Sequence, residues 1–431
     1  MCNCITLKPI SYVQGEIILP GSKSISNRVL LMSALASGKT YLKNLLCSDD
    51  SNYMLNALKQ LGVKYKRSIK NQDLEIHGCE NNFIYENNTV LFLGNAGTAV
   101  RPLISVLSLM NKEIIITGDE RMKERPIHDL VHALHQGGSI IKYLKKKHYL
   151  PICIHGGFTG GNITIKSNTS SQFLTSLLIA SPLSKKDTTI SVPDVLISIP
   201  YIDITLKLLD NFGIIIENNQ YKKFYIPGNQ RYKSPGTYDI EGDASSATYF
   251  IAAAAIKGKC IRIYGITKNS IQGDIQFIKI AKKMGAIITF GKNYIECKKG
   301  KLIGIDLDAN HIPDAAMTIA ILALFTEDGS PTTIRNIESW RVKETDRLYA
   351  MSTELRKVGA VVHEGQDFIK IFPPKKFIPS KIHTYNDHRM AMCFSLIALS
   401  DASVTIMNPQ CVSKTFPEYF KIFNKISIMN K

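Results

Sequence analysis

The sequence predicts a mixed α/β protein built from six similar units. Three observations predict it: a long-range period, a buried helix in every period, and an amphipathic helix leading into a β-branched run. Six segments share a polar or small head and an apolar body: GSKSISNRVLLMSAL from Gly21, GNAGTAVRPLISVL from Gly94, NTSSQFLTSLLIAS from Asn168, GDASSATYFIAAAA from Gly242, PDAAMTIAILAL from Pro313 and NDHRMAMCFSLIAL from Asn386. Their starts lie 73, 74, 74, 71 and 73 residues apart, the mark of a repeated supersecondary unit.

The second element recurs in phase, in LNALKQLGVKYK, LVHALHQGGSIIKY, ITLKLLDNFGIIIE, FIKIAKKMGAIITF and LRKVGAVVHE, while YFKIFNKISIM lacks the glycine. Glycine takes the left-handed conformation that ends a helix, and the Val/Ile alternation after it suits a strand. Each unit therefore holds one buried helix, one exposed helix and strands. The unit is short for a large domain, so the six group as three plus three, with a break at Ser234, Pro235 and Gly236.

With 431 residues, 45% hydrophobic and 21% charged, the chain has the composition of a globular protein of two to four domains. Its 53 basic and 36 acidic residues leave a net charge of +17, which calls for an anionic partner. Nine scattered cysteines without a C-x-x-C pair suit reduced thiols better than a disulfide framework or zinc site. MCNCITLKPISYVQGE has no apolar signal region, and AAMTIAILALF is too short to span a bilayer, so the sequence predicts a soluble cytoplasmic protein.

A helix start presents unpaired N–H groups and a partial positive charge, a natural seat for phosphate or carboxylate. The heads here carry Lys23, Ser24 and Arg28; Asn95, Thr98 and Arg101; Ser170, Ser171 and Gln172; Asp314; and His388 and Arg389. Ser, Asn and Asp there serve equally as N-caps. Capping does not account for cations, which the dipole disfavours at helix starts unless an anion is present, so Lys23, Arg28 and Arg101 are read as functional. Two clusters join them: GDERMKERP, a turn-like segment with Arg121, Lys123 and Arg125, and WRVKETDRL, with Lys343 and Arg347 one helical turn apart beside Glu344. His388, Arg389 and Lys414 complete the basic set.

LPGSKSISNR, LFLGNAGTAVRPL, GDERMKERPI, SSQFLTSLL, EGDASSATYF, IPDAAMTIA, WRVKETDRL, YNDHRMAM and KTFPEYF together resemble the EPSP synthase family of glyphosate-sensitive bacterial type, from about Leu7 to Phe420. The resemblance implies a two-domain inside-out α/β barrel, each domain three βαβαββ repeats, with the active site in the cleft between them. It places one domain at residues 21–240 and the other at 1–20 plus 241–431.

It further implies transfer of the enolpyruvyl group of phosphoenolpyruvate to the 5-hydroxyl of shikimate 3-phosphate, through a tetrahedral adduct that then loses phosphate. The bond broken is C–O, so no cofactor and no metal are expected, in keeping with the absence of a G-x-x-x-x-G-K-[ST] loop. By matched motif, Lys23, Arg125, Arg347, Arg389 and Lys414 would clamp phosphoenolpyruvate, with Asn95, Gly97 and Gln172 lining its pocket, which glyphosate would also occupy. Lys23, Ser24, Arg28, Ser170, Ser171, Gln172, Ser198, Tyr201, Asp314, Ser339 and Lys343 would hold shikimate 3-phosphate. Asp314 would be the base at the 5-hydroxyl, Glu344 the proton donor and acceptor at C3, and Lys23 the third catalytic group.

Two positions depart from the family pattern. Ser339 stands where Asn is common before the Trp, and Ile199 where Lys is common. The alternative within the fold is a UDP-N-acetylglucosamine enolpyruvyl transferase-like enzyme, but its reactive Cys is missing from GDERMKERP. A nucleic-acid binder would interleave its cations with exposed aromatics, whereas here they sit at repeat-spaced heads. His128, His132 and His135 read as a solvated helical stripe rather than metal ligands. The expected partners are the two small substrates alone, bound by a monomer with neither nucleic acid nor membrane.

Overall fold

A computed structural model describes residues 3–68, 73–166, 170–194 and 196–429, so Asn168 and Thr169 at the third repeat's head lie outside the described residues. The chain forms two compact units, one of residues 21–240 and one of 1–20 with 241–431.

In the unit of residues 21–240, three four-stranded sheets share one plan. Strand Thr89–Phe92 runs parallel to Ile114–Thr117, which pairs antiparallel with Ile152–Gly156, which pairs antiparallel with Ile140–Tyr143. Gly161–Thr164, Thr188–Ser191, Lys223–Ile226 and Glu217–Asn219 repeat the order. The remaining sheet borrows its first strand from the far end of the unit: Thr237–Asp239 lies parallel to Lys39–Lys43.

The other unit keeps this pairing order in sheets of four, five and three strands and closes on itself in the same way. Asp306–Asp308, Thr332–Arg335, Ile369–Phe372 and Val361–Glu364 make its regular sheet. Tyr12–Ile18 supplies the strand parallel to Gly258–Tyr264, and Cys4–Leu7 pairs antiparallel with Val404–Met407, which is why the first residues belong with the last.

The repeat bodies are helices buried nearly all round. Ile25 to Leu35 of helix Lys23–Leu35 and Ala244 to Ile256 of helix Ala244–Lys257 are buried without interruption. Strands such as Ile114–Thr117 instead alternate buried with half-buried residues. Helices therefore fill each unit and sheets face outward, reversing the usual layering. Short hydroxyls let the helices touch: Thr248 Oγ1 lies 2.8 Å from Thr318 Oγ1, and Thr318 Oγ1 lies 3.7 Å from Cys393 Sγ. Gly62, Gly213, Gly285 and Gly359 end outer helices with positive φ, as the glycine pattern requires. After Gly213 the strand starts only at Glu217, later than the Ile214–Ile216 run suggests. No helix among the described residues is long and apolar enough to cross a membrane.

Candidate active site

In the unit of residues 21–240, helix Lys23–Leu35 begins with no side-chain cap and no acid in its first turn. Lys23 opens it, with Nζ 3.7 Å from Asp50, a first-turn residue of helix Asp49–Gln60. Arg28 is buried, and its bonds run to neutral oxygens: Nε to Thr205 Oγ1 at 2.9 Å, Nη1 to the Ser24 carbonyl at 2.8 Å, and Nη2 to Thr175 Oγ1 and the Tyr201 carbonyl, both at 3.3 Å. Burial with no carboxylate among those partners pushes its pKa down to about 10.

Helix Gly97–Leu107 also starts without a side-chain cap or a first-turn acid. A Cβ on Gly97 would stand 2.1 Å from Arg101 Nη1 and 3.1 Å from Gln172 Oε1, so these three residues converge. Arg125 Nη1 donates to Asn95 Oδ1 at 3.0 Å, while its buried Nε has no hydrogen-bond partner. GDERMKERP is not a turn: Asp119 caps a short helix, Glu120–Glu124, because its side chain accepts from the Met122 amide. That helix turns Arg121 and Lys123 towards Glu124 and Glu120, at 3.0 and 2.6 Å, and leaves Arg125 buried at its end. Ser170 is a plain N-cap to Gln172, Ser171 starts helix Ser171–Ala180, and Ser198, buried at φ 55°, precedes helix Ile199–Asn211, whose third residue is Tyr201.

The unit of residues 1–20 and 241–431 gathers cations and carboxylates together. Arg347, 1% exposed, donates through Nε to Asp387 at 2.7 Å, through Nη1 to Asp314 at 2.8 Å and through Nη2 to Glu344 at 2.9 Å. Arg389 Nη2 donates to the other oxygen of Asp314 at 2.9 Å and its Nη1 to the Tyr249 hydroxyl at 3.1 Å. Lys343 Nζ lies 3.9 Å from Asp314. Trp340 Nε1 donates to the Pro313 carbonyl at 2.7 Å and so fixes the backbone beside Asp314. Lys343 and Arg347 do not share a helix: Asp346 caps Arg347–Lys357 by accepting from the Tyr349 amide, and Lys343 is extended after the short helix Glu338–Val342. Ser339 is half-buried on that short helix, and Lys414 is buried at the end of Pro409–Lys414.

Burial opposes ionisation of Asp314, but Arg389, Lys343 and Arg347 outweigh it and hold its carboxyl well below the usual carboxylate range. Arg347 is likewise desolvated, yet Asp387, Glu344 and Asp314 raise it above the ordinary guanidinium value. Asp274 moves the other way, to about 7, through burial and then the charge of Asp314; Arg389 and the hydroxyl of Ser245 oppose the rise. An ionised Asp314 beside Glu344, among cations able to hold carboxylate or phosphate, is an arrangement that can accept and donate protons.

A sequence profile described as EPSP synthase (3-phosphoshikimate 1-carboxyvinyltransferase) matches residues 7–423. The chain belongs to the EPSP synthase family. The 3-phosphoshikimate 1-carboxyvinyltransferase of Buchnera aphidicola subsp. Cinara cedri is 60% identical over 99% of this chain and 98% of its own. That of Yersinia pseudotuberculosis is 56% identical over 99% of both. The solved EPSP synthase of Acinetobacter baumannii superposes with TM-score 0.83 at 26% identity, covering 100% of this chain and 99% of its own. The enolpyruvyl transferase NikO of Streptomyces tendae, TM-score 0.80 over 99% and 97% of the two chains, is 14% identical and speaks for the fold alone. Four partners of the site's side chains, Asp387, Asp50, Tyr249 and Asp274, carry no signal in the sequence that singles them out. Asp387 lay in the quoted NDHRM with no distinguishing signal, and Asp274 in SIQGDIQF, which no motif singled out.

Proposed function

We propose that this protein transfers the enolpyruvyl group of phosphoenolpyruvate to the 5-hydroxyl of shikimate 3-phosphate, releasing phosphate, on the route to aromatic amino acids. The observation that carries the reading is Asp314, held ionised by Arg347, Arg389 and Lys343 with Glu344 on the same arginine. Asp314 takes the 5-hydroxyl proton as that oxygen attacks C2, and Glu344 delivers a proton to C3. The adduct then loses phosphate by C–O cleavage, and Glu344 takes back a methyl proton. Lys23 offers its ammonium to the leaving phosphate, which carries off the proton that Asp314 took from the 5-hydroxyl, so Asp314 and Glu344 both return to their starting states. Arg125, Arg347, Arg389 and Lys414 bind the donor with Asn95, Gly97 and Gln172, and Ser24, Arg28, Ser170, Ser171, Ser198, Tyr201, Ser339 and Lys343 bind the acceptor.

An aspartate locked into three cations is a weak base. When the donor's carboxylate and phosphate engage Arg347 and Arg389, that field is shared and Asp314 gains basicity, so bound phosphoenolpyruvate prepares the base that attacks it. Phosphate release from phosphoenolpyruvate, measured with and without shikimate 3-phosphate, tests the reading. Release should require both, and none from folded protein would overturn it. We place the enzyme in the cytoplasm as a monomer without cofactor, metal in catalysis, nucleic acid or membrane. Eight cysteines with free thiols among the described residues support a reducing compartment. A dimer mass by light scattering would overturn the monomer.

A further inference from the structure

We propose that Glu113, Cys153 and His155 form a binding site for a divalent cation of the zinc class on the outer face of a sheet in the unit of residues 21–240. The strand register sets it up. Ile114 pairs with Ile154, Ile115 with Cys153 and Ile116 with Ile152. Alternation turns Ile114, Ile116, Ile152 and Ile154 inward, where each is fully buried, and turns Cys153 and His155, two residues apart, to the opposite face. Glu113 continues its strand's register one residue back and stands opposite His155.

The donor atoms have already converged. A carboxylate oxygen of Glu113, Sγ of Cys153 and a ring nitrogen of His155 all lie within 4.8 Å of one another. Zinc bonds of about 2.0–2.3 Å set tetrahedral ligand atoms roughly 3.3–3.8 Å apart, within reach of small side-chain rotations. Glu113 Oε1 lies 2.8 Å from His155 Nδ1, and the Nε2 of that ring is buried with no hydrogen-bond partner. Glu113 already holds the ring at the site, so a cation can take the place of the proton shared between Oε1 and Nδ1, with the ring proton passing to Nε2, and gain Cys153 Sγ as its third ligand.

Thiolate, imidazole and carboxylate suit zinc rather than magnesium or calcium, and two anionic ligands balance a dication, with water as fourth ligand. The thiol proton leaves to solvent on binding. None of the three residues belongs to the candidate active site, and the inference does not depend on the proposed activity. Bound metal would clip the two central strands of the sheet together and stabilise the unit.

Cobalt(II) added to the reduced, full-length protein tests it. We expect a sulfur-to-cobalt charge-transfer band that saturates at one equivalent, is displaced by zinc, is lost in Cys153→Ser and is kept in Cys260→Ser. His155→Gln should weaken cobalt binding by about tenfold or more. Zinc should raise the melting temperature of the wild type and not of Cys153→Ser. Absence of the band, its survival in Cys153→Ser, or a wild-type melting temperature unmoved by zinc would overturn the site. Should Cys153→Ser not fold, His155→Gln decides, and unchanged cobalt affinity there would sink the proposal.

Discussion

Arg28, in helix Lys23–Leu35, and Arg347, at the start of helix Arg347–Lys357, are both buried guanidinium groups, yet their pKa values move in opposite directions. Arg28 sits among hydroxyl and carbonyl oxygens and falls to about 10; Arg347 sits among Asp387, Glu344 and Asp314 and rises. The contrast extends to their neighbours. Around residues 21–240, Arg125 leans on the neutral Asn95, and two of the helix starts have neither cap nor acid. In the other unit each arginine of the cluster meets a carboxylate within 3 Å. A desolvated cation with only neutral partners is stabilised by an anion from outside, which suits a receptor for polyanionic ligands. A cluster that neutralises itself holds protons in place and can pass them on. Under the proposed function, binding would fall more to the unit of residues 21–240 and proton transfer to the other.

Neutralising one residue in each unit separates the two environments most clearly. Glu344→Gln keeps size and an acceptor oxygen but carries no exchangeable carboxyl proton, so turnover should fall by about 10²–10⁴ while affinity for both ligands stays within a few-fold. Arg125→Ala should do the reverse. Loss of a charged hydrogen-bonding partner costs about 1.5–3 kcal/mol, raising the apparent KM for phosphoenolpyruvate roughly ten- to a hundred-fold. Calorimetric titration beside initial rates checks both. Near-normal turnover in Glu344→Gln would remove that residue from proton transfer and erase the contrast.

The comparison also marks where the sequence was readable. The repeat period announced six related sheets because each unit must bury the same helix, although two of them have three and five strands rather than four. The cations at Lys23, Arg28 and Arg101 stood out because helix starts disfavour them. Asp387 escaped: it reads as an N-cap and is one, yet the same side chain also holds Arg347. Asp274 carries no local signal at all, since its environment comes from Ser245, Asp314 and Arg389, distant in sequence. Local pattern reports what a residue does for its own helix, whereas a buried charge answers to chain brought in from elsewhere. The helix assumed to join Lys343 and Arg347 failed for a local reason, the cap at Asp346.

A smaller effect tests the self-neutralising side through pH. Asp274 is raised to about 7 by burial and Asp314, against Arg389, with Asp243 adding to the rise. A carboxyl with a raised folded pKa binds its proton more tightly in the native state. Its contribution to stability is therefore complete below about pH 4, the unfolded value, and is lost as pH rises through about 7. Asp314, depressed, contributes stability that is lost only as pH falls below the ordinary carboxylate range, outside that window. Asp274→Asn should thus be less stable than wild type near pH 4.5 and gain on it steadily towards pH 8, by about 2–4 °C in melting temperature per kcal/mol. A difference independent of pH would mean that Asp274 stays ionised and that the cluster is charge-balanced without it.

The smallest change asked for is one methyl on the receptor side. Gly97 has no positive φ that would demand glycine, so its backbone accepts alanine; the obstacle is space. The added Cβ would stand 2.1 Å from Arg101 Nη1, the far end of a flexible side chain, and 3.1 Å from Gln172 Oε1. The guanidinium must therefore move, and whatever ligand uses that volume meets both the methyl and the displaced arginine. Glyphosate is longer than phosphoenolpyruvate, so Gly97→Ala should weaken glyphosate inhibition more than it raises the KM for the donor. A difference of about 1–3 kcal/mol, roughly ten- to two-hundred-fold, is what one methylene-sized intrusion commands. Inhibition constants and melting temperatures of the two proteins decide the matter. Equal glyphosate affinity with a lowered melting temperature would mean that Gly97 serves only the packing of Arg101, and the receptor side would lose its donor-lining residue.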